Sequence, residues 1–277
     1  MSKRNYFLFL FLFILYSQQF CQNLKSFYSF KETSPDSLEL LNIKSDTLFN
    51  SRQSINMLAI NKTGLNKFLI ELGYSRTELK KTSEFGKSGN ALAAVNAGFF
   101  NRDKGGSVTY LEVHDSVINK SISAKEKWGK SNSLMNGAFI ITKRNAVKIE
   151  RARRESYYEK SKREKAVLIT GPVLLLNYEK VKLPDVDFVK KRHPRTIAAL
   201  TKDKIVFIVI DGRSKNADGM SLIEVQNFLA GLGIKDAVNF DGGGSTTMWL
   251  RNKGIINSPS DASGERIVAN AVLIQKR

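Results

Sequence analysis

From Ser54 to the C-terminus the chain alternates between short apolar runs and turn-forming residues, and this rhythm limits the folds open to it. Residues 55–60, 67–72, 91–95, 137–142, 166–170, 173–176, 196–200, 205–210, 237–240 and 266–274 each have the length of a strand. Many such runs in one chain predict an extensive sheet. One helix is well marked. Ser221-Leu222-Ile223-Glu224 has the form of a capping box, with the Ser221 hydroxyl and the Glu224 carboxylate closing on each other's amides. Leu222, Val225, Phe228, Leu229 and Leu232 then share a face, and Gly231 and Gly233 supply the stop. Thr82-Ser83-Glu84-Phe85 opens a shorter helix. The expected fold is α+β: a single domain built on a large twisted mixed β-sheet flanked by helices.

The N-terminus sets the compartment. Lys3-Arg4, an uncharged apolar run over 6–16 and a polar exit at Ser17-Gln18-Gln19 make a secretory signal. The run falls short of the roughly 20 apolar residues of a comfortable membrane span, although an uncleaved anchor is the alternative. Three segments are therefore expected: a signal peptide over 1–21, a loosely structured extension over 22–50 and a domain over 51–277. Cys21 is the one cysteine, so cleavage after it leaves a mature chain with no disulfide and no cysteine chemistry. A secreted or periplasmic protein with no stable membrane span after cleavage is the expectation.

The formal net charge is +18 and the pI about 9.9, which calls for an anionic partner or a generally basic surface. No helix-turn-helix, zinc-finger or RNP pattern appears, so nucleic acid is not expected. The run RARRESYYEKSKREK at 151–165 reads as a solvated helix face, or as a basic flap over an anionic substrate. With two histidines, His114 and His193, and no HExxH or CxxC spacing, no metal and no cofactor is expected. Phosphate-loop and nucleophile-elbow patterns are missing as well.

What remains is carboxylates, arginines, amides and glycines. Asn239-Phe240-Asp241-Gly242-Gly243-Gly244-Ser245-Thr246-Thr247 places a carboxylate before three glycines and three hydroxyls. Glycines bring bare amides close to a ligand, and successive amides form an anion nest. A solvated hairpin turn is the plainer reading of the same residues. The strand at 205–210 ends in Asp211-Gly212-Arg213, and Arg195 follows Pro194 with a planar fork suited to phosphate or carboxylate. Asn96 and Phe99, in NAGFFN, offer an amide and a ring for sugar stacking, although paired phenylalanines more often belong to a core. Glu224 is a third carboxylate, with its capping role as the competing reading.

Taken in order, NAGFFN at 96–101, GPVLL at 171–175, PRT at 194–196, VIDGR at 209–213, GMSLIE at 219–224, NFDGGGSTT at 239–247 and VANAVLI at 268–274 resemble the phosphodiester glycosidase family. The resemblance covers roughly residues 54–276. Ala97 departs from it, standing where the family usually has a second glycine. The resemblance implies hydrolysis of the bond between a sugar's anomeric carbon and a phosphodiester. Such chemistry is commonly divided between two carboxylates. The expected catalytic residues are Asp241 and Asp211, with Glu224 third. The expected substrate-binding residues are Asn96, Phe99, Arg195, Arg213, Asn239, Gly242, Gly243, Gly244, Ser245 and Thr246. The partner is then an anionic sugar-phosphate or glycan of the cell envelope. A non-catalytic, exopolysaccharide-related binder of anionic polysaccharide, or a structural envelope protein, is the alternative.

Overall fold

The apolar runs do form strands. The computed structural model, which describes residues 37–127 and 129–277, sorts them into three main sheets rather than one. The first has seven strands in the order Leu38–Ser45, Gln53–Asn61, Lys204–Ile210, Arg195–Leu200, Asp236–Asn239, Val173–Leu176 and Glu179–Lys180. The second has five, in the order Gly254–Ile255, Met248–Leu250, Ala91–Asn96, Asn270–Lys276 and Phe68–Tyr74. The third also has five, in the order Ser116–Asn119, Leu111–Val113, Glu164–Thr170, Gly137–Thr142 and Val147–Arg151.

The pairings within all three are antiparallel, which corrects the expectation of one large mixed sheet. A parallel pair needs a crossover of about a dozen residues or more, usually through a helix. Here Lys204–Ile210 follows Arg195–Leu200 through a three-residue turn. The described helices are few and short, the longest being Leu222–Gly231.

The inner faces of all three sheets meet in one core. Leu58, Phe207 and Val238 of the first, Ile70, Val95 and Ile274 of the second, and Leu111, Phe139 and Leu168 of the third belong to it. Each sheet then carries a helix on its outer face. Leu222, Val225 and Phe228 cover Val206, Ile208 and Ile210 of the first. Phe85, from the Thr82–Ser88 helix, packs on Ala94, Trp249 and Leu273 of the second. Tyr158, from the Glu155–Lys160 helix, packs on Tyr110, Ile140 and Val167 of the third. This explains why residues 205–210 are apolar without alternation: odd positions enter the shared core and even positions meet the helix.

Two boundaries differ from expectation. Leu38–Ser45, inside the segment read as a loose extension, pairs along its full length with Gln53–Asn61 and closes the edge of the first sheet. Its burial pattern is irregular rather than alternating, so its composition gives little strand signal. The charged run at 151–165 is not one helix face. It holds a strand end, the short Glu155–Lys160 helix and the start of Glu164–Thr170. The expected signal segment 1–21 and residues 22–36 lie outside the described residues. Among the described residues no helix is long and apolar enough to cross a membrane.

Candidate active site

The three sheets converge at the turn that follows Asp236–Asn239. Strands Lys204–Ile210 and Asp236–Asn239 run the same way, with Arg195–Leu200 between them. Arg195 faces Ile210 and Ile197 faces Asn239, so Asp211 and Asp241 leave the same end of the sheet. Two strand spacings separate them, about 10 Å between backbones. The second sheet reaches this corner through Asn96. Its amide donates to the Asp241 carbonyl at 2.7 Å, and its oxygen accepts from Thr196 Oγ1 at 2.8 Å and the Thr247 amide at 3.0 Å. The next residue, Ala97, accepts the Asp241 amide at 2.8 Å. The third sheet reaches it through Thr170, whose hydroxyl donates to the Asn239 carbonyl at 3.0 Å.

The glycines let charged groups close over this turn. Gly243 has φ +61, in the left-handed region, and the Arg213 guanidinium lies so near that an added Cβ would sit 3.1 Å from Nη1. A Cβ on Gly244 would fall 2.0 Å from Asp261 Oδ1 and 2.1 Å from Arg266 Nη2, so a side chain there would displace the ends of that pair. Arg266 and Asp261 form a two-pronged pair at 2.6 and 2.8 Å. The Arg266 Nη1 also points at Ser245 Oγ, 3.4 Å away.

Asp241 lies among these groups. Asp241 is half-buried, and desolvation pushes its carboxyl up to about 6, against bonding to Ser245, the fields of Lys130 and Arg266, and the Gly242 amide, all of which pull it down. Asp261 moves the other way: its bonds to Arg266 outweigh burial and hold it below the usual carboxylate range. Two carboxylates are thus drawn apart within one cluster, one poised to exchange a proton near neutrality and one held charged. Beside them, His193 Nδ1 lies 3.1 Å from Arg213 Nη2. Arginine only donates, so Nδ1 is the acceptor and the ring is neutral in this contact. Burial, with Arg195, Arg213 and Lys191 adding to it, lowers the His193 pKa.

The structure separates the expected site residues into those at this turn and those that hold it. Asp241, Gly242, Gly243, Gly244, Ser245 and Arg213 come together. Arg195 does not present a fork to a ligand. It is 1% exposed, and its guanidinium donates to the carbonyls of Met220, Phe188 and Lys191 at 2.8–2.9 Å. Glu224 is committed to Ser221 and to a two-pronged bond with Arg192. Burial raises its pKa, but Arg192 and Ser221 outweigh that and leave it lowered. Phe99 is 4% exposed, with the Phe188 ring edge-on at 6.2 Å and Lys130 Nζ above it at 5.6 Å, so its face is not open for sugar stacking. Asn96 is fully buried and its side chain is spent on the protein.

Asn239 is fully buried too, with its amide on the Gly171 and Phe240 carbonyls and its oxygen without a partner among the described residues. Thr246 is buried and its hydroxyl has no partner there either. Asp211 is 4% exposed and accepts from Ser54 Oγ at 2.8 Å, Asn257 Nδ2 at 3.0 Å and the Ser258 amide at 2.9 Å. Asn257 also donates to the Thr246 carbonyl at 3.0 Å, so Asp211 braces the far side of the glycine turn. Burial raises its pKa against those three donors.

Sequence reasoning missed Arg266, Asp261, Lys130 and Asn257. None belongs to a motif with a local chemical signature: Asn257, Asp261 and Arg266 lie on the one segment between Gly254–Ile255 and Ile267–Val268, and Lys130 lies on another. Gly244 was the one available signal, since a third consecutive glycine implies something packed close against it. Among the described residues no group of three or more His, Cys, Asp or Glu side chains gathers.

A family model described as phosphodiester glycosidase matches residues 89–275. No curated protein matches the sequence. Among solved structures, the catalytic domain of zebrafish N-acetylglucosamine-1-phosphodiester alpha-N-acetylglucosaminidase, auto-inhibited by its pro-peptide, is similar at a TM-score of 0.66 and 19% identity. That match covers 90% of this chain and 87% of the other. A hypothetical protein from Synechocystis is similar at a TM-score of 0.60 and 15% identity, over 87% of this chain and 62% of its own. At these identities the likeness to solved structures is one of fold. The expected turn sequence and most of the residues that brace it lie inside the family match.

Proposed function

The chain belongs to the phosphodiester glycosidase family, and from that premise we propose that it hydrolyses a sugar-1-phosphodiester of an envelope glycan or glycoconjugate outside the cytoplasm. The observation that carries the reading is Asp241: a carboxyl drawn up to about 6, on a glycine turn crowded by Arg213, Arg266 and Ser245. A solvated turn aspartate would keep an ordinary acidity and would not need arginines closed over bare glycine.

The chemistry fits the substrate. Arg213 matches the charge of a phosphodiester, while Arg266, its charge met by Asp261, offers its remaining N–H groups. Phosphate leaves readily, so little proton donation to the leaving oxygen is required. The demanding step is attack at an anomeric carbon that gains positive character. In this reading Asp241 is the group at that carbon, as base for water or as nucleophile. The C1–O bond breaks, water's oxygen joins C1, and the bridging oxygen departs with the phosphate. One water proton ends on the phosphate or in solvent. The products are a free sugar and a phosphomonoester.

The test is sugar release from a sugar-1-phosphodiester by wild type and Asp241→Asn. A base or nucleophile acts deprotonated, so kcat/KM rises as pH climbs through about 6 and is level above it. The asparagine variant loses at least about 10²-fold in kcat/KM. Wild-type turnover in Asp241→Asn removes Asp241 from the reaction, and ligand binding with no turnover in wild type favours the polysaccharide-binding alternative.

A further inference from the structure

A cavity of ≈ 430 Å³ opens against the outer face of the third sheet. Its size is that of a ligand site. Val108, Ile122, Met135 and Ile169 supply apolar surface. Lys130, Arg151, Arg153 and Arg154 line it as well, against one carboxylate, Glu155. That carboxylate already accepts the Ser121 amide at 3.0 Å.

Two of these cations, Arg151 and Arg154, are not consumed by the fold. Arg153 pairs with Glu150 at 3.1 Å and lies 4.3 Å from the Tyr157 ring centre, which fixes it in place. Arg151 and Arg154 are exposed and form no ion pair among the described residues. Arg154 stands at the N-cap of the Glu155–Lys160 helix without capping it by its side chain. Arg151 and Arg154 thus present two guanidinium groups at one concavity that a bound anion would meet. Thr109 also lines the cavity, with a buried hydroxyl that has no partner among the described residues.

Lys130 links the cavity to the Asp241 cluster, since its charge acts on the Asp241 carboxyl. That residue lines the cavity, and its ammonium lies 5.6 Å from the centre of the Phe99 ring. Phe99 belongs to the same loop as Ala97, whose carbonyl holds the Asp241 amide. The Phe99 carbonyl in turn accepts the amide of Val108, a residue of the cavity wall. One loop therefore has the candidate active site on one side and the cationic cavity on the other.

We propose that this cavity is a second anion subsite, which holds a neighbouring phosphate of the substrate while the scissile phosphodiester lies beside Asp241. The inference rests on the reading of the Asp241 turn as a glycosyl-phosphodiester site. It narrows the substrate class to glycans with more than one phosphate, such as oligo(glycosyl phosphates), with the apolar wall against the intervening sugar or alkyl carbons. The subsite binds charge and takes no part in bond cleavage.

Two probes test it: a sugar-1-phosphodiester of a plain alkyl alcohol, and the same diester whose alcohol ends in a second phosphate. Phosphonate analogues that cannot be hydrolysed give Kd by calorimetry beside kcat/KM. In wild type the second phosphate improves both quantities by about tenfold. In Arg151→Gln/Arg154→Gln that gain falls to about twofold or less, while constants for the single-phosphate probe stay unchanged. Both positions are exposed, so matching thermal melts of the two proteins are expected. No gain from the second phosphate in wild type, or an equal gain in both proteins, overturns the subsite and leaves the hydrolase reading standing. Absence of turnover with an arginine-dependent Kd preference sinks the hydrolase reading and retains the subsite.

Discussion

Arg195 shows how far a residue's environment can move it from the role its chemistry suggests. A guanidinium after proline, at the end of a strand, has the planar fork that phosphate favours. The fold turns that fork inward and closes it on three backbone carbonyls. Those carbonyls belong to the segments before the strand and before the Ser221 cap, so the side chain ties both to the sheet. Lysine keeps the charge but cannot reach all three acceptors, and each buried acceptor left without a donor costs about 1–3 kcal/mol. Arg195→Lys is expected to lower stability by roughly 2 kcal/mol or more, a fall of about 5 °C in the melting midpoint for a chain of this size. Its kcat/KM, measured well below that midpoint, stays within about threefold of wild type. A tenfold loss of kcat/KM with an unchanged melt would return Arg195 to the ligand.

The helix Leu222–Gly231 illustrates the same separation for an element. Ser221 accepts the Glu224 amide at 3.2 Å, and Glu224 returns to the Ser221 amide at 2.9 Å, as the sequence pattern requires. The carboxylate then gathers Arg192, which also donates to the Phe49 carbonyl at 2.8 Å. Glu224 is thus a junction between the helix start, the loop before Arg195 and the first sheet's edge. Glu224→Gln keeps part of the cap and removes the ionic half of the Arg192 contact. A stability loss of about 1–2 kcal/mol is expected in urea melts, with kcat/KM within about threefold. A loss of about 10²-fold in kcat/KM would mark Glu224 as an acid or base after all. The neighbouring loops behave alike: Asp211 fixes Ser54, Asn257 and Ser258, and through Asn257 it steadies the Thr246 end of the glycine turn.

At the scale of the whole molecule, the net charge of +18 matters most where cations crowd a concavity. Because exposed charges are screened over about 8 Å at physiological salt, raising NaCl from about 0.05 to 0.5 M is expected to raise KM for anionic substrates several-fold. The effect on kcat should be small, and a KM indifferent to salt would mean that surface charge has no part in capture. Most strand positions, though not Leu38–Ser45, the capped helix and the order of family motifs were fixed by local chemistry: side-chain periodicity, turn residues and a reciprocal cap act within a few residues of one another. The Asp241 turn was visible for that reason as well, since consecutive glycines after an acid carry their meaning locally. Which strands pair was not legible, because antiparallel register depends on partners as distant as Leu38 and Ile60 or Ile197 and Asn239. Nor could spacing show that Arg266, Asp261 and Lys130 surround Asp241 while Arg195, Asn96 and Glu224 are spent on the frame. A charged side chain looks the same in sequence whether its partner is a carbonyl or a substrate. Only burial and the positions of competing acceptors, both set by how three sheets close on one core, distinguish the two.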